Sequence, residues 1–486
     1  MNGERLTHRD WILIAVCAAI AAVSLFVIFN WFNAAFPEAS IEFRYDRNGS
    51  VPLAEAVLAR QGIDARGMKH SAIFDGDDTA KIFLERSLGL ARANNILRRD
   101  VRLWWWRNRW FRPLQEEEFE VQIAPTGEVV GFAQKIPEAR ALPATDVAAA
   151  RNAAERFLTG NGIKLADFQL VAQSERQLPR RTQRIFTWES QSIHPAGAPY
   201  RHEVKVDGDR VSDYSQRIRV PDDWLRGYRE LRSKNFLAGN IDIVFFILTM
   251  IAVVVVFIVR LLRGDIRPRM LIAIAITSVV LMTGVALNSL PLDLARYPTT
   301  ISYPAFLAQI IIFAVLQGVG YAMLLVVIVG SGEVLYRERL PQHLAIPRLW
   351  QRRALASKRV FLSFIVGYTL VAFFLGYQVV FYLIAEKFGA WAPAEIPYDE
   401  MINTAFPWIA VLFAGFFPSL SEEFLSRAFS IPFFERLFRS RLAAIILAGF
   451  IWGFGHATYP NQPFYIRGLE VGFAGVFFSD LACFRF

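Results

Sequence analysis

Cysteine is almost absent from this chain. Its 486 residues include two, Cys17 and Cys483, far apart and each in an apolar segment, which excludes a disulfide framework and a cysteine-based metal site. Acidic residues number 44 against 53 basic ones, a net charge of +9. That excess reads as arginine flanking membrane spans rather than as a nucleic-acid footprint. Apolar residues are what the chain has in quantity: they make up 54%, with 42 Phe and 12 Trp. This is the composition of a membrane protein, yet residues 37–238 are as polar as a soluble domain.

Residues 11–32 form an apolar run long enough to cross about 30 Å of hydrocarbon. Arg5 and Arg9 precede it, as in a signal peptide, but Pro37-Glu38-Ala39-Ser40 is a poor cleavage site, so a retained signal-anchor is expected. Further apolar segments cover roughly 241–259, 270–290, 305–330, 360–385, 404–429 and 442–458, with an incomplete one at 468–486. Arginines cluster at 260–269 and, with Lys358, at 337–359, whereas the loops at 291–304 and 386–403 carry only Arg296 and Lys387. Positive-inside counting puts the N-terminus and the arginine loops in the cytoplasm, and residues 37–238 outside. The expected fold is an α-helical polytopic membrane bundle with an inserted extracytoplasmic α+β domain, in a bacterial inner membrane. Its parts are the anchor (1–36), the outer domain (37–238), three spans with basic loops (239–359) and a C-terminal core (360–486).

The outer domain reads as a degenerate duplication. Amphipathic helices are expected over 52–62 and 146–162, ending in Gly62-Ile63 and Gly162-Ile163. Strands over 118–123 and 129–133 flank Gly127, and strands over 202–206 and 211–214 flank Gly208. The helix ends lie 100 residues apart and the glycine turns 81, so the repeat has drifted. This helix-then-hairpin pattern resembles PepSY-type modules. The run Arg102-Leu103-Trp104-Trp105-Trp106-Arg107-Asn108-Arg109-Trp110 has the residues that hold single-stranded nucleic acid, but a strand with a packed aromatic face, or a patch at the bilayer interface, fits its position better. No nucleophile elbow, P-loop or HExxH spacing occurs in this domain.

The chemistry lies in the last quarter. Glu422, Glu423 and Arg427 sit at the end of an apolar run, where each charge costs about 2.5 kcal/mol or more and persists mainly where it pairs or works. Glu423 and Arg427, four residues apart, share a helix face and can pair. Glu422 points about 100° away and is free to face a cavity, as a general base would. Some 30 residues on, Trp452-Gly453-Phe454-Gly455-His456 supplies an imidazole within an apolar span. Gly449, Gly453 and Gly455 would let its helix approach the glutamate helix closely. As a straight hairpin, however, Glu422 would lie near the cytoplasmic end and His456 about 22 Å from it. A kink at 416–420 is therefore expected, caused by Pro418 with Ser419 or Ser421 capping a new helix.

These residues resemble the CPBP intramembrane proteases, which include CAAX prenyl protease 2-type enzymes and abortive infection proteins. The family's EExxxR motif is matched by Glu422, Glu423 and Arg427, and its FxxxH motif by Trp452 to His456 with Trp in place of Phe. The resemblance covers roughly 360–486. It implies that Glu422 activates water, that His456 helps bind it, and that Glu423, Arg427 and Trp452 support them. It implies no cofactor; if a divalent metal such as zinc were bound, Glu422, Glu423 and His456 would be its ligands. A membrane-associated peptide or protein would be the substrate, with the lipid bilayer as surroundings, an unassigned ligand for the outer domain and no nucleic acid partner.

The family's third motif, His-xxx-Asn or His-xxx-Asp, has no counterpart here. No histidine follows His456, and Asn461 stands at the wrong spacing. Truncation or a frame shift near the end, leaving the chain inactive as written, is one expectation. A non-catalytic receptor, or a transporter component using the Glu/His set as a proton relay, are the alternatives to an endopeptidase.

Overall fold

The opening apolar run is a single helix, α1 (His8–Ala35), in a computed structural model that describes residues 5–36, 38, 41–339, 341, 351–394 and 399–484. Thr7 and Asp10 cap it reciprocally, satisfying two of the amides that open a helix. Pro37, Ala39 and Ser40 of the expected non-cleaved site, and Arg348 of the second basic loop, lie outside the described residues.

A chain of elements then builds a sheet. Helix α2 (Arg47–Arg60) leads to β1 (Lys69–Gly76), α3 (Asp78–Leu88), α4 (Leu90–Arg99), β2 (Trp104–Phe111), β3 (Glu118–Ile123) and β4 (Val129–Lys135). Helix α5 (Val147–Gly160) leads to β5 (Phe168–Leu178), β6 (Arg181–Ser190), β7 (Tyr200–Asp207) and β8 (Arg210–Ile218). The eight strands form one antiparallel sheet in the order β1-β2-β3-β4-β8-β7-β6-β5, so two four-strand meanders meet along β4 and β8.

The helices that precede the two meanders end alike. Gly62 and Gly162 both take positive φ, and the next amide donates five residues back, Ile63 to Leu58 at 2.9 Å and Ile163 to Leu158 at 3.0 Å. This is the six-to-one bond of a glycine C-cap. Ala54, Val57 and Leu58 of α2, and Ala154, Phe157 and Leu158 of α5, are buried in one core with Phe132, Phe186 and Tyr214. Helices α3 and α4 intervene between β1 and β2, whereas a tight turn joins β5 to β6. That difference is where the 100-residue offset shrinks to 81.

The tryptophan-rich run is β2. Trp104, Trp106 and Trp110 are buried on one face, as period-two alternation requires. The arginines between them are paired: Arg109 holds Glu118, while Arg107 lies near Asp75 and Glu120.

The chain then enters the bundle. Helix α6 (Asp222–Leu262) runs unbroken through the point where composition turns apolar. It is followed by α7 (Pro268–Asn288), α8 (Leu290–Ala295), α9 (Tyr303–Arg339), α10 (Arg352–Leu355), α11 (Lys358–Lys387), α12 (Asp399–Ile402) and α13 (Pro407–Glu423). A π-helical segment, Phe424–Ser430, links α13 to α14 (Ile431–Phe438), and α15 (Arg441–Phe454) and α16 (Ile466–Phe484) complete the described chain. Among the described residues six helical stretches are long and apolar enough to cross a membrane, including 407–438 taken as one. The protein is an integral membrane protein with a separate antiparallel sheet.

The sheet is fastened to the elements that carry the site. Asn403, just ahead of α13, bonds the backbone of edge-strand residue Phe74 twice, at 2.6 and 2.8 Å, and Arg47 donates to the Ile402 carbonyl. Lys81 and Glu85 of α3 hold the carbonyl and the amide of Ala394. In the same loop Trp391 pairs its backbone with Gln462 at 2.8 Å in both directions.

Candidate functional site

The expected kink at 416–420 is not where the helix changes. Helix α13 continues through Pro418 to Glu423, and the irregularity follows at the π-helical segment Phe424–Ser430. Ser419 and Ser421 do not cap a new helix. Their hydroxyls donate back to Phe416 and Phe417 carbonyls, at 2.9 and 2.8 Å. Within the wider turn, Ser430 Oγ reaches the carbonyl five residues back, Leu425, at 2.7 Å. Single π turns inside α-helices recur at functional sites.

The depth mismatch disappears for a different reason. The descending path does not stop at Phe429 but continues to Phe438. At 1.5 Å per residue Glu422 then stands about 24 Å above the turn at 438–441, and His456 about 22 Å above it. The acidic and imidazole residues share one level.

Contacts join the two motifs. Trp452 Nε1–H donates to Glu422 Oε2 at 2.7 Å. Arg427 donates to Glu423 at 2.5 Å and also lies over the Trp452 ring, 4.7 Å from its centroid. The His456 Nδ1 atom is 2.9 Å from the Trp452 carbonyl, and the two rings meet edge to face at 5.7 Å. A carbonyl only accepts, so Nδ1 carries the hydrogen and Nε2 presents its lone pair. Trp452 thus touches both residues, and among the described residues no direct hydrogen bond joins Glu422 to His456. Both are half-buried.

The glycines of α15 do not face the glutamate helix. A Cβ on Gly453 would meet the Gly468 carbonyl oxygen and the Gly472 backbone at 2.5 Å, and one on Gly449 would meet Val476 at 2.8 Å. Their closeness serves α16, which carries a matching stripe at Gly468, Gly472 and Gly475, and the glutamate helix reaches α15 through Trp452 instead.

Two acidic residues near His456 were not read from the sequence. Glu470 on α16 is fully buried, accepting from Arg467 at 2.6 Å and from Gln378 of α11 at 2.9 Å, and it lies within charge–charge range of His456. Asp242 on α6 is 8% exposed. A single acid within an apolar span is the signal that would have found each. Asn461, excluded as a third-motif residue by spacing, donates to the Tyr382 hydroxyl at 2.9 Å.

The three residues named for a metal do not converge. Trp452 occupies Glu422 Oε2 and Glu423 turns to Arg427, and among the described residues no three His, Cys, Asp or Glu side chains gather as a metal-holding group.

Residues 404–483 match the family model described as type II CAAX prenyl endopeptidase, Rce1-like. That agrees with the resemblance carried by Glu422, Glu423, Arg427 and the Trp452–His456 motif, and it leaves the sheet and the first helices outside the match. No curated protein and no solved structure matches the chain.

Proposed function

We propose that the chain is an intramembrane endopeptidase of the glutamate type. The observation that carries this reading is the Trp452–Glu422 hydrogen bond, which gathers two motifs 30 residues apart at one depth of the bundle. Glu422 takes a proton from water as the oxygen attacks the scissile carbonyl carbon. His456 Nε2 accepts the other O–H and holds that water in place. When the C–N bond breaks, the proton on Glu422 passes to the leaving amine. Glu423 and Arg427 support the arrangement, with Arg427 fixing the indole that steers Glu422.

The substrate is a membrane-associated peptide or protein segment. The sheet domain, fastened to the chain ahead of α13 and to the loop after His456, stands on the outer face of a bacterial inner membrane, with the arginine-rich helix ends in the cytoplasm. It binds a ligand of its own, and its two helix-plus-meander halves descend from one duplicated unit.

The test is cleavage of labelled membrane peptides by reconstituted wild type, Glu422→Gln and His456→Gln. Removing a general base should slow cleavage about 100-fold or more. Equal cleavage by wild type and Glu422→Gln ends the enzymatic reading.

A further inference from the structure

The helix that leads to His456 ends just before it. Helix α15 closes at Phe454 and residues 455–458 continue as a turn, so the imidazole stands on backbone past the last helical residue. Carbonyls at the end of a helix have no partner within it and must find one elsewhere. Here the partners come from α6, which lies outside the matched family segment. The Asn235 amide donates to the carbonyls of Ala457 and Tyr459 at 3.0 Å and to that of Asn461 at 3.1 Å. Arg232, three residues earlier on the same face, donates to those of Thr458 and Tyr459 at 2.8 and 2.9 Å. A Cβ on Gly239 would strike Thr458, so the helix and the turn are in direct contact there.

Asn235 is fully buried and is itself held in one orientation. Gln462 Nε2 donates to its Oδ1, which turns both of its N–H bonds towards the turn. The Gln462 backbone is in turn paired with Trp391 at 2.8 Å in both directions, and Arg86 of α3 lies over the Trp391 ring, 4.2 Å from its centroid. The grip reaches His456 through Tyr459. The Tyr459 amide donates to the His456 carbonyl at 3.2 Å, and the Tyr459 carbonyl is the one that both Arg232 and Asn235 hold. The Trp452 carbonyl fixes the rotation of the imidazole, whereas the turn fixes where its backbone stands.

We propose that Asn235 is a positioning residue of this site, fixing from α6 the turn that carries His456. The inference rests on the reading of His456 as the group that binds the reacting water. Asparagine suits the task, because its amide offers two donors to the carbonyls and one acceptor to Gln462 without burying a charge. An imidazole displaced by about 1 Å no longer holds a water in line with Glu422, and misplacement of that size costs up to about 100-fold in rate. Asn235 bonds only to the turn and to Gln462, so its effect should fall on kcat and leave KM nearly alone.

The experiment compares wild type, Asn235→Asp and Asn108→Ala as full chains labelled with ¹⁵N-histidine and reconstituted in lipid, each acting on labelled membrane peptides. Asn235→Asp keeps the shape of the side chain and removes its N–H donors, and Asn235→Ala serves if that variant does not fold. Asn108, fully buried in the sheet and bonded to Ser50 and Trp106, controls for lost stability alone. The His456 signal is assigned by its loss in His456→Gln. Asn235→Asp should lower kcat about tenfold or more, change KM by less than about twofold and move the His456 ring signal. Asn108→Ala should melt earlier with kcat and the signal kept. Wild-type kcat in a folded Asn235 variant overturns the proposal, as does a lower kcat with the His456 signal unmoved, or an equal fall in Asn108→Ala. Undiminished cleavage by Glu422→Gln overturns only the enzymatic reading, and the histidine signal then still decides whether Asn235 places the ring.

Discussion

Trp452 and Glu422 share a 2.7 Å hydrogen bond across two helices of the bundle. Because the acceptor is a carboxylate, deleting the donor should cost about 1.5–3 kcal/mol. Trp452→Phe keeps a ring beneath Arg427 and removes only the N–H. Its thermal unfolding in detergent should shift down accordingly, and an unchanged midpoint would show that the bond contributes nothing.

Glu423 and Arg427 are paired but unequal. The glutamate side chain is 54% exposed and the arginine 10%. Glu423→Gln should therefore cost less than about 1 kcal/mol, as exposed ion pairs do. Arg427→Ala should cost about 2 kcal/mol, since it also loses the contact with the indole face and the packing of its stem. Urea titration of both variants reads the difference, and equal losses would contradict this division.

Gly453 sets the distance between α15 and α16. Gly453→Ala drives a methyl into backbone 2.5 Å away, so it should cost about 1–3 kcal/mol. Gly284→Ala on α7, where nothing lies within 4 Å, should be neutral or gain up to about 1 kcal/mol. Melting temperatures of the two variants side by side decide this.

His202 makes the sheet sensitive to acid. It is buried beside Phe168 with Nδ1 2.9 Å from the Tyr214 hydroxyl, and burial lowers its pKa from 6.5 to about 4. The unfolded chain then binds the extra proton, so stability is complete above pH 6.5 and is lost as pH falls towards 4. At pH 4.5 the loss from this residue should be about 2.5 kcal/mol. His202→Gln should lack that increment in melts compared at pH 7.5 and 4.5, and identical pH dependence in both proteins would refute the assignment.

Much of the architecture was legible because each signal was local. The bilayer demands long apolar runs, so 305–330 announced α9 whatever it packs against. Gly62 and Gly162 marked helix ends because only positive φ allows that cap. The reading failed where a local rule had a non-local competitor. Pro418 was expected to break its helix, yet α13 runs through it and the change of pitch falls six residues later. Charges at 422–427 read as the end of a span, whereas Phe429, Phe433 and Phe434 carry the helical path further into apolar packing.

Taken alone, the amino-acid order determined that this is a membrane protein with a polar insert, and it singled out Glu422, Glu423, Arg427 and His456 as candidate site residues. Bilayer energetics and short-range helical spacing are written into neighbouring residues, so they need no partner to be read. Tertiary structure alone decided that Trp452 bridges Glu422 and His456, that the glycines of α15 serve α16, and that α6 brings Asp242 to the turn at Gly455. Those outcomes depend on which helix faces which, and that choice is made by packing between segments up to about 200 residues apart, which no local pattern encodes.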